Sequence, residues 1–124
     1  MATASDITSP EQLRDRTKAF ASRIIRLFRA LPSKPEAQVI GRQLLRAGAS
    51  VGANYRAACR GRSRPDFNSR LGIVVEEADE TIYWLELLAE NGIMPQRRLE
   101  GLLKEAHELT AIFTASLETS RSHK

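Results

Sequence analysis

Apolar residues recur at intervals of three and four in four separate stretches of the chain, a period that places them on one face of an α-helix. The first stretch opens with Ser9, Pro10 and Glu11, which together form a helix start: a capping residue, a proline and an acid. Its apolar positions are Leu13, Phe20, Ile24, Leu27 and Leu31. We predict an amphipathic helix that ends near Ala30, ahead of a turn that contains two prolines.

The second stretch combines a heptad pattern with a row of mostly small residues, and its helix is predicted to begin near Glu36. The heptad positions are Ile40, Leu44, Ala47, Val51, Asn54 and Ala58. The small-residue row beside them is Gly41, Leu45, Gly48, Gly52, Tyr55 and Cys59. Each glycine inside a helix costs about 1 kcal/mol relative to alanine. We therefore expect another helix, from this chain or a neighbouring subunit, to pack closely on this row.

Asn54 is the one polar residue among the heptad positions of the second helix. Because an unpaired amide in a core costs roughly 1–3 kcal/mol, we predict that its side chain is largely buried and hydrogen-bonded. Buried polar residues at such positions fix the register of packed helices. A register role is therefore the interpretation for Asn54, and a ligand-binding role is the alternative.

The third stretch becomes apolar nearly all round in its C-terminal half. Its helical core positions are Phe67, Leu71, Val74, Ala78, Thr81, Leu85 and Leu88. In residues 82–89, with the sequence IYWLELLA, only Glu86 is charged. A helix in a monomeric bundle needs a single buried stripe. We therefore predict that Tyr83, Trp84 and Leu87 face another subunit; the alternative is a wider core within one chain.

Turn signals separate the last three helices. Gly61 is predicted to end the second helix, and Ser63 to cap the third. Asn91 and Gly92 close the third helix, and Pro95 opens the fourth. The apolar positions of the fourth helix are Leu99, Leu102, Ala106, Leu109 and Phe113.

Four amphipathic stretches with short connections, and no alternating pattern typical of strands, predict an all-α fold. The architecture is an up-down-up-down four-helix bundle that forms a single domain over residues 11–117. Residues 1–10 are predicted to be a flexible leader. The fourth helix is expected to end near Leu117, and residues 118–124 to form a polar tail.

Charge is distributed unevenly along the 124 residues, although the net charge is only +4. Residues 1–70 contain 14 Lys and Arg against 5 Asp and Glu, whereas residues 71–124 contain 5 against 10. Such asymmetry indicates either an oppositely charged partner or basic helices that lie beside acidic ones. The single cysteine, Cys59, excludes an intrachain disulfide, and no apolar run is long enough for a membrane span. These features predict a cytoplasmic protein with no membrane partner.

No constellation of catalytic or metal-binding residues is visible. The third and fourth helices carry closely spaced acids at Glu76, Glu77, Glu80, Glu105 and Glu108. A di-iron bundle would also need Glu-x-x-His motifs, and neither histidine supplies one. These acids are therefore expected to form a solvated or salt-bridged face. Ser50, Cys59 and His107 match no nucleophile motif. We predict no enzymatic activity, no metal and no cofactor.

Arginines supply the candidate binding site. On a helical wheel, Arg42, Arg46, Arg56 and Arg60 fall within about 80° of one another, away from the heptad positions. We predict that a nucleic-acid-binding face consists of Arg42, Arg46, Arg56, Arg60, Arg62 and Arg64. The alternative is that the acids of the third helix already neutralise these arginines. A similar outward stripe is predicted on the first helix, at Arg16, Arg23 and Arg26.

The segment SVGANYRAACRGRSRPDFNSRLGIVVEEADETIYWLELL, residues 50–88, resembles the signature of the four-helix-bundle proteins also called 23S rRNA intervening-sequence proteins. The motifs that carry the resemblance are Gln43-Leu44-Leu45-Arg46, Ser50-Val51-Gly52-Ala53-Asn54, Arg62-Ser63 with Asp66-Phe67, and Glu77-Ala78-Asp79-Glu80 before Trp84-Leu85. The resemblance implies a small bacterial bundle that often assembles as a ring-like homopentamer. A related branch, the accessory protein of diversity-generating retroelements, binds a reverse transcriptase and nucleic acid.

One departure from the family pattern adds positive charge. Many members have Ala-Glu-Gly after the asparagine motif, where this chain has Ala58-Cys59-Arg60-Gly61. We therefore expect a non-enzymatic homo-oligomer, with a pentamer favoured, that binds RNA, DNA or a ribonucleoprotein through its arginine face. A nucleic-acid enzyme is a further expected partner. The alternative is a scaffold oligomer that docks another protein and binds no nucleic acid.

Overall fold

Four α-helices joined by three short turns make up almost all of residues 9–123, the part of the chain that the computed structural model describes. The helices are α1 (Pro10–Ala30), α2 (Pro35–Cys59), α3 (Arg64–Glu90) and α4 (Gln96–Ser122). The described residues contain no strand. The prediction of an all-α four-helix bundle is confirmed.

Side chains at the predicted helix starts satisfy the free N–H groups of the first turns. The Ser9 hydroxyl accepts a hydrogen bond from the Gln12 N–H, and the Gln12 side chain bonds back to the Ser9 backbone. The Ser63 hydroxyl accepts from the Asp66 N–H in the same way. Asn91 caps the C-terminus of α3, and Gly92 follows it with a positive φ of 63°.

The C-terminal end of α4 differs from the prediction. The helix was expected to end near Leu117, but it continues through Ser122. No proline or glycine follows Leu117 to break the helix. The Ser120 hydroxyl also donates to the side-chain oxygen of Asn68, which ties the last turns of α4 to the start of α3. The predicted leader lies largely outside the described residues, since they begin at Ser9, and Lys124 lies outside them as well.

Consecutive helices pack side by side along the bundle, and α1 meets α4 less closely than it meets α2. Tyr55 and Phe113, from α2 and α4, meet across the core with ring centroids 4.9 Å apart. The largest fully buried apolar side chains are Phe20, Ile24, Leu44, Leu71, Leu85, Leu88, Leu99, Leu109 and Phe113. Most of the predicted core positions are therefore buried, and they come from all four helices.

The glycine row of α2 packs against α1 of the same chain. A Cβ atom on Gly48 would lie 2.9 Å from Cγ1 of Ile24, and one on Gly52 would lie 3.1 Å from Oγ1 of Thr17. The predicted close approach of another helix is confirmed, and its partner is the preceding helix. These contacts bring the backbones of α1 and α2 close together along the length of the row.

Candidate nucleic-acid interface

All six predicted arginines are exposed, but they do not share one environment. Arg42 is exposed on α2. Arg46 turns towards α3, whereas Arg56 and Arg60 line a groove on the α1 side. Of the two remaining residues, Arg62 lies in the α2–α3 turn and Arg64 is the first residue of α3. The predicted face is therefore split among several local surfaces.

Arg46 belongs to a charged network with α3. Its guanidinium contacts the carboxylate of Glu77 at 3.2 Å and forms a second ion pair with Glu80. Glu80 also accepts a hydrogen bond of 2.9 Å from the indole N–H of Trp84. The predicted alternative, neutralisation by the acids of α3, is therefore realised for Arg46. Within residues 9–123, no such ion pair forms for Arg42, Arg56, Arg60 or Arg62.

A groove of about 570 Å³ runs between α1 and α2, and basic side chains line both of its sides. Arg14 and Lys18 stand on the α1 side, opposite Arg56 and Arg60 on the α2 side. We call this feature the α1–α2 groove. Among residues 9–123, Asp15 is the single carboxylate that lines it. The groove therefore concentrates positive charge from two helices.

Sequence reasoning missed Arg14 and Lys18 because it examined the arginines of each helix separately. A usable signal was present, since the two residues are one helical turn apart and lie on either side of Thr17, which packs against Gly52. In an antiparallel pair, the N-terminal half of α1 lies beside the C-terminal half of α2. That register would have placed Arg14 and Lys18 near Arg56 and Arg60.

The α2–α3 turn holds its basic residues with several local contacts. The backbone N–H of Arg62 donates to a carboxylate oxygen of Asp66 at 3.2 Å. The Arg62 side chain is exposed. Arg64 donates to the Ser120 carbonyl at 3.3 Å, and Arg70 pairs with Asp66 one turn away. Asp66 therefore offsets part of the positive charge at this end of the bundle.

The predicted outward stripe on α1 is wrong for Arg16 and for Arg23, which are both half-buried. The guanidinium of Arg16 forms two bonds of 2.7 Å to the Glu105 carboxylate and a third of 2.7 Å to Glu108. We call this contact between the helices the α1–α4 seam. Because α1 and α4 are farther apart than α1 and α2, long side chains fill the gap between them.

Hydrogen bonding and charge shift the proton affinities of the two main partners at the α1–α4 seam. The hydrogen bonds from Arg16 lower the pKa of Glu105 from its ordinary value, although partial burial opposes the shift. The same bonds raise the pKa of Arg16. The expectation of a salt-bridged acidic face is thus met by Glu105 and Glu108, as it is by Glu77 and Glu80 near Arg46.

The three predicted interface residues differ in exposure. Tyr83 is 55% exposed, whereas Trp84 and Leu87 are half-buried. The rings of Tyr83 and Trp84 pack edge-on with centroids 4.9 Å apart. Leu87 lines a second groove, between the end of α3 and the start of α2, together with Ile40. Tyr83 is therefore the member of the set that offers a large apolar surface to solvent.

Asn54 is partly exposed, but most of its surface is buried, as predicted. Its position on α2 lies at the edge of the packed face rather than at its centre. The side-chain N–H₂ donates to the Ser50 carbonyl at 2.9 Å, which confirms the predicted hydrogen bond. Because this bond is within one helix, it does not itself align α2 with a neighbour. The register role stays a prediction.

The remaining reactive residue types are dispersed. Cys59 is half-buried. Burial of the Tyr55 hydroxyl raises its pKa, and the neighbouring Cys59 thiol adds to the shift. His107 is exposed on α4. Among residues 9–123, no group of three or more His, Cys, Asp or Glu is arranged to hold a metal ion. None of the helices in this range combines the length and the apolar content needed to cross a lipid bilayer.

Comparisons with known proteins agree with this fold. The sequence matches the family model of the 23S rRNA-intervening sequence protein over residues 12–115. The structure is similar to the crystal structure of a protein of unknown function from the S23 ribosomal protein family of Bacteroides thetaiotaomicron, with a TM-score of 0.82. The two sequences are 33% identical, and the match covers 88% of this chain and 97% of that chain. Among proteins with curated functions, none matches this sequence.

Proposed function

The chain belongs to the 23S rRNA-intervening sequence protein family, and we propose that it is a non-enzymatic cytoplasmic protein that binds nucleic acid. The binding surface consists of the exposed arginines of α2 and of the α2–α3 turn. Its ligand is the phosphate backbone of RNA or DNA, either free or within a ribonucleoprotein. The contacts are electrostatic and carry little sequence preference.

The observation that carries this proposal is the set of arginine side chains without an acidic partner. Arg42, Arg56, Arg60 and Arg62 are exposed and form no ion pair within residues 9–123. An unpaired guanidinium is available to a phosphate oxygen, which it binds with strong charge-assisted hydrogen bonds. Arg46 contributes least, because Glu77 and Glu80 already hold it.

The salt dependence of binding tests the proposal. A labelled RNA strand is titrated with the protein by fluorescence anisotropy between about 50 and 200 mM KCl. Replacing Arg42, Arg46, Arg56 and Arg60 by glutamine should flatten the slope of log K against log salt by about 2. This value follows from three unpaired arginines at about 0.7 each for single strands.

A matched control removes the same charge elsewhere. Arg29, Arg97, Arg98 and Lys104 are exposed on α1 and α4, and their joint replacement by glutamine should flatten the slope much less. Circular dichroism and light scattering would confirm that both variants keep the fold and mass of the wild type. The proposal fails if wild-type protein does not bind RNA at low salt, or if the two variants have equal effects.

The proposal includes self-assembly, with a homopentamer favoured. Tyr83 exposes an aromatic ring beside Trp84 on the outer face of α3, an arrangement common in protein interfaces. Light scattering coupled to size exclusion should give a mass several times 13.8 kDa. Tyr83→Ala should lower this mass while it leaves the unfolding temperature close to that of the wild type. A monomer at micromolar concentration would rule out the assembly.

The same two measurements address the alternative, a scaffold oligomer that docks another protein. The neutralised state of Arg46 and the exposed ring of Tyr83 favour this alternative. A stable oligomer that does not bind RNA even at low salt would support the scaffold role and exclude nucleic-acid binding. A nucleic-acid enzyme would then be the first docking partner to examine.

A further inference from the structure

The α1–α2 groove has the charge of a phosphate-binding channel. Two cations lie on each side, Arg14 and Lys18 opposite Arg56 and Arg60, and Asp15 is the single carboxylate that the described part of the chain adds to the lining. All four cations are exposed, and none forms an ion pair within residues 9–123. Converging like charges without partners repel one another, so an anion between them would be stabilised.

The spacing of these cations suits a chain of phosphates better than one isolated anion. Arg14 and Lys18 are four residues apart on α1, as are Arg56 and Arg60 on α2. Four residues of helix advance about 6 Å, close to the distance between successive phosphates of an unstacked strand. Each side of the groove therefore offers a cation to each of two neighbouring phosphates.

Small residues form the floor of the groove and leave room for a backbone to enter. Ala49 and Ala53 lie one turn apart on α2, and both are exposed within the groove. The close contact of Gly52 with Thr17 keeps α1 and α2 near one another, so the groove is a narrow cleft at the surface. We expect one strand to lie along this cleft, whereas a duplex, whose major groove alone is about 12 Å wide, is too broad to enter it.

The floor lacks the groups that read bases. No aromatic ring from the described part of the chain, residues 9–123, lines the groove, so these residues offer no ring on which a base could stack. The Thr17 hydroxyl already donates to the Leu13 carbonyl at 2.8 Å, so its proton is engaged within α1. A strand in this channel would be held by its phosphates while its bases face solvent.

We infer that the α1–α2 groove is a track for one single-stranded phosphodiester backbone, held by Arg14 and Lys18 on α1 and by Arg56 and Arg60 on α2. This inference rests on the proposed function and names its ligand class. It adds Arg14 and Lys18 to the binding surface. It also assigns Arg42 a peripheral role, since that residue lies outside the groove lining.

A variant that fills the groove without changing charge gives the sharpest test. Ala49→Leu with Ala53→Leu places two larger side chains on the floor at exposed helical positions, where leucine is well tolerated. The matched control is Ala111→Leu with Ala115→Leu, two exposed alanines with the same spacing on α4. The probe is a labelled single-stranded RNA of mixed sequence, titrated with full-length protein over the same range of salt.

The filled variant should flatten the salt slope by about 2–3, as expected when four cations lose phosphate contacts at about 0.7 each. The control should bind as the wild type does. Arg14→Gln with Lys18→Gln should flatten the slope by about 1.4. An RNA duplex of the same sequence should bind more weakly than the single strand, and the filling substitutions should not alter its affinity.

Separate outcomes overturn the inference and the proposed function. If the filled variant binds like the wild type while the quadruple arginine variant loses binding, the groove is not the track, and the proposed function stands. If the wild-type protein binds no oligonucleotide at low salt, both the inference and the proposed function are wrong. Competition with pyrophosphate tests whether the groove binds a nucleic-acid backbone or a small phosphate compound. If pyrophosphate displaces the labelled RNA when the two are present at equal concentration, the groove is a site for small phosphates and the inferred strand track is wrong.

Discussion

Arg14 and Arg16 lie two residues apart on α1, yet they face different neighbours. Arg14 lines the α1–α2 groove and forms no ion pair within residues 9–123. Arg16 lies in the α1–α4 seam, where it bonds to both carboxylate oxygens of Glu105 and to Glu108. One arginine is thus available to a ligand, whereas the other acts as a structural link between helices.

The difference follows from the residues that each neighbouring helix presents. On the α2 side, Gly48 and Gly52 let the backbones approach closely, and alanines rather than acids border the groove. On the α4 side, Glu105 and Glu108 reach across a wider gap. Gly101 on α4 makes room for a cation, since a Cβ there would lie 2.9 Å from the Arg23 guanidinium. The packing partner of an arginine therefore decides whether it is free for binding.

The largest expected effect concerns the close packing on the α2 side. Gly48→Leu should lower the free energy of unfolding by about 1–3 kcal/mol, because the new side chain would overlap Ile24 in the core. Gly72→Leu is the matched control, since a Cβ on Gly72 meets nothing within 4 Å. It should raise stability by up to about 1 kcal/mol through helix propensity. Urea unfolding of both variants checks this, and equal losses would contradict close packing at Gly48.

The second prediction compares the two arginines directly. Arg16→Met should lower the free energy of unfolding by about 1–2 kcal/mol, because it leaves two carboxylates of the α1–α4 seam without their cation. Arg14→Met should change it by less than about 0.5 kcal/mol, as is usual for exposed positions. Thermal and urea unfolding provide the measurement. Similar values for both variants would show that the seam contributes no more than an ordinary surface contact.

The third prediction follows from the lowered pKa of Glu105. A carboxylate with a depressed folded pKa stabilises the fold fully above the unfolded value of about 4.5, and this contribution is lost as pH falls through the folded pKa. The stability difference between wild type and Arg16→Met should therefore be constant near neutral pH and shrink below about pH 4.5. The difference between wild type and Arg14→Met should stay small throughout. A seam difference that persists at low pH would contradict this account.

Much of the fold was predictable from local patterns. The spacing of Phe20 and Ile24 and the cap at Ser63 act through near neighbours in the sequence, and the structure agrees with them. The glycines of α2 predicted a close approach of another helix, although the sequence did not show that this helix is α1. The fate of a charged side chain depends instead on residues that are distant in the chain. Arg16 and Glu105 are 89 positions apart, and a helical wheel of α1 alone shows both Arg14 and Arg16 as polar.

The same reasoning explains the mixed outcome at the candidate site. The wheel of α2 grouped Arg42, Arg46, Arg56 and Arg60 correctly as exposed residues. It did not show that Arg46 reaches Glu77 and Glu80 on α3, or that α1 adds two cations to the site. Those features depend on how each helix is rotated about its own axis relative to its neighbours. The packing of individual side chains in the core determines that rotation.

The smallest expected effect extends the comparison to the third group of arginines, the network of Arg46 with α3. Its side chain is 48% exposed, compared with 27% for Arg16, so water screens its ion pairs with Glu77 and Glu80 more strongly. Exposed pairs contribute about 0.2–1 kcal/mol. Arg46→Gln should therefore lower the free energy of unfolding by less than Arg16→Met does, and the loss should vanish in about 1 M salt. Arg42 lies one turn away and forms no ion pair with any residue from 9 to 123, so Arg42→Gln should leave stability unchanged. Urea unfolding at low and high salt makes the measurement, and a salt-independent loss at Arg46 would mean that the network is as well shielded as the α1–α4 seam.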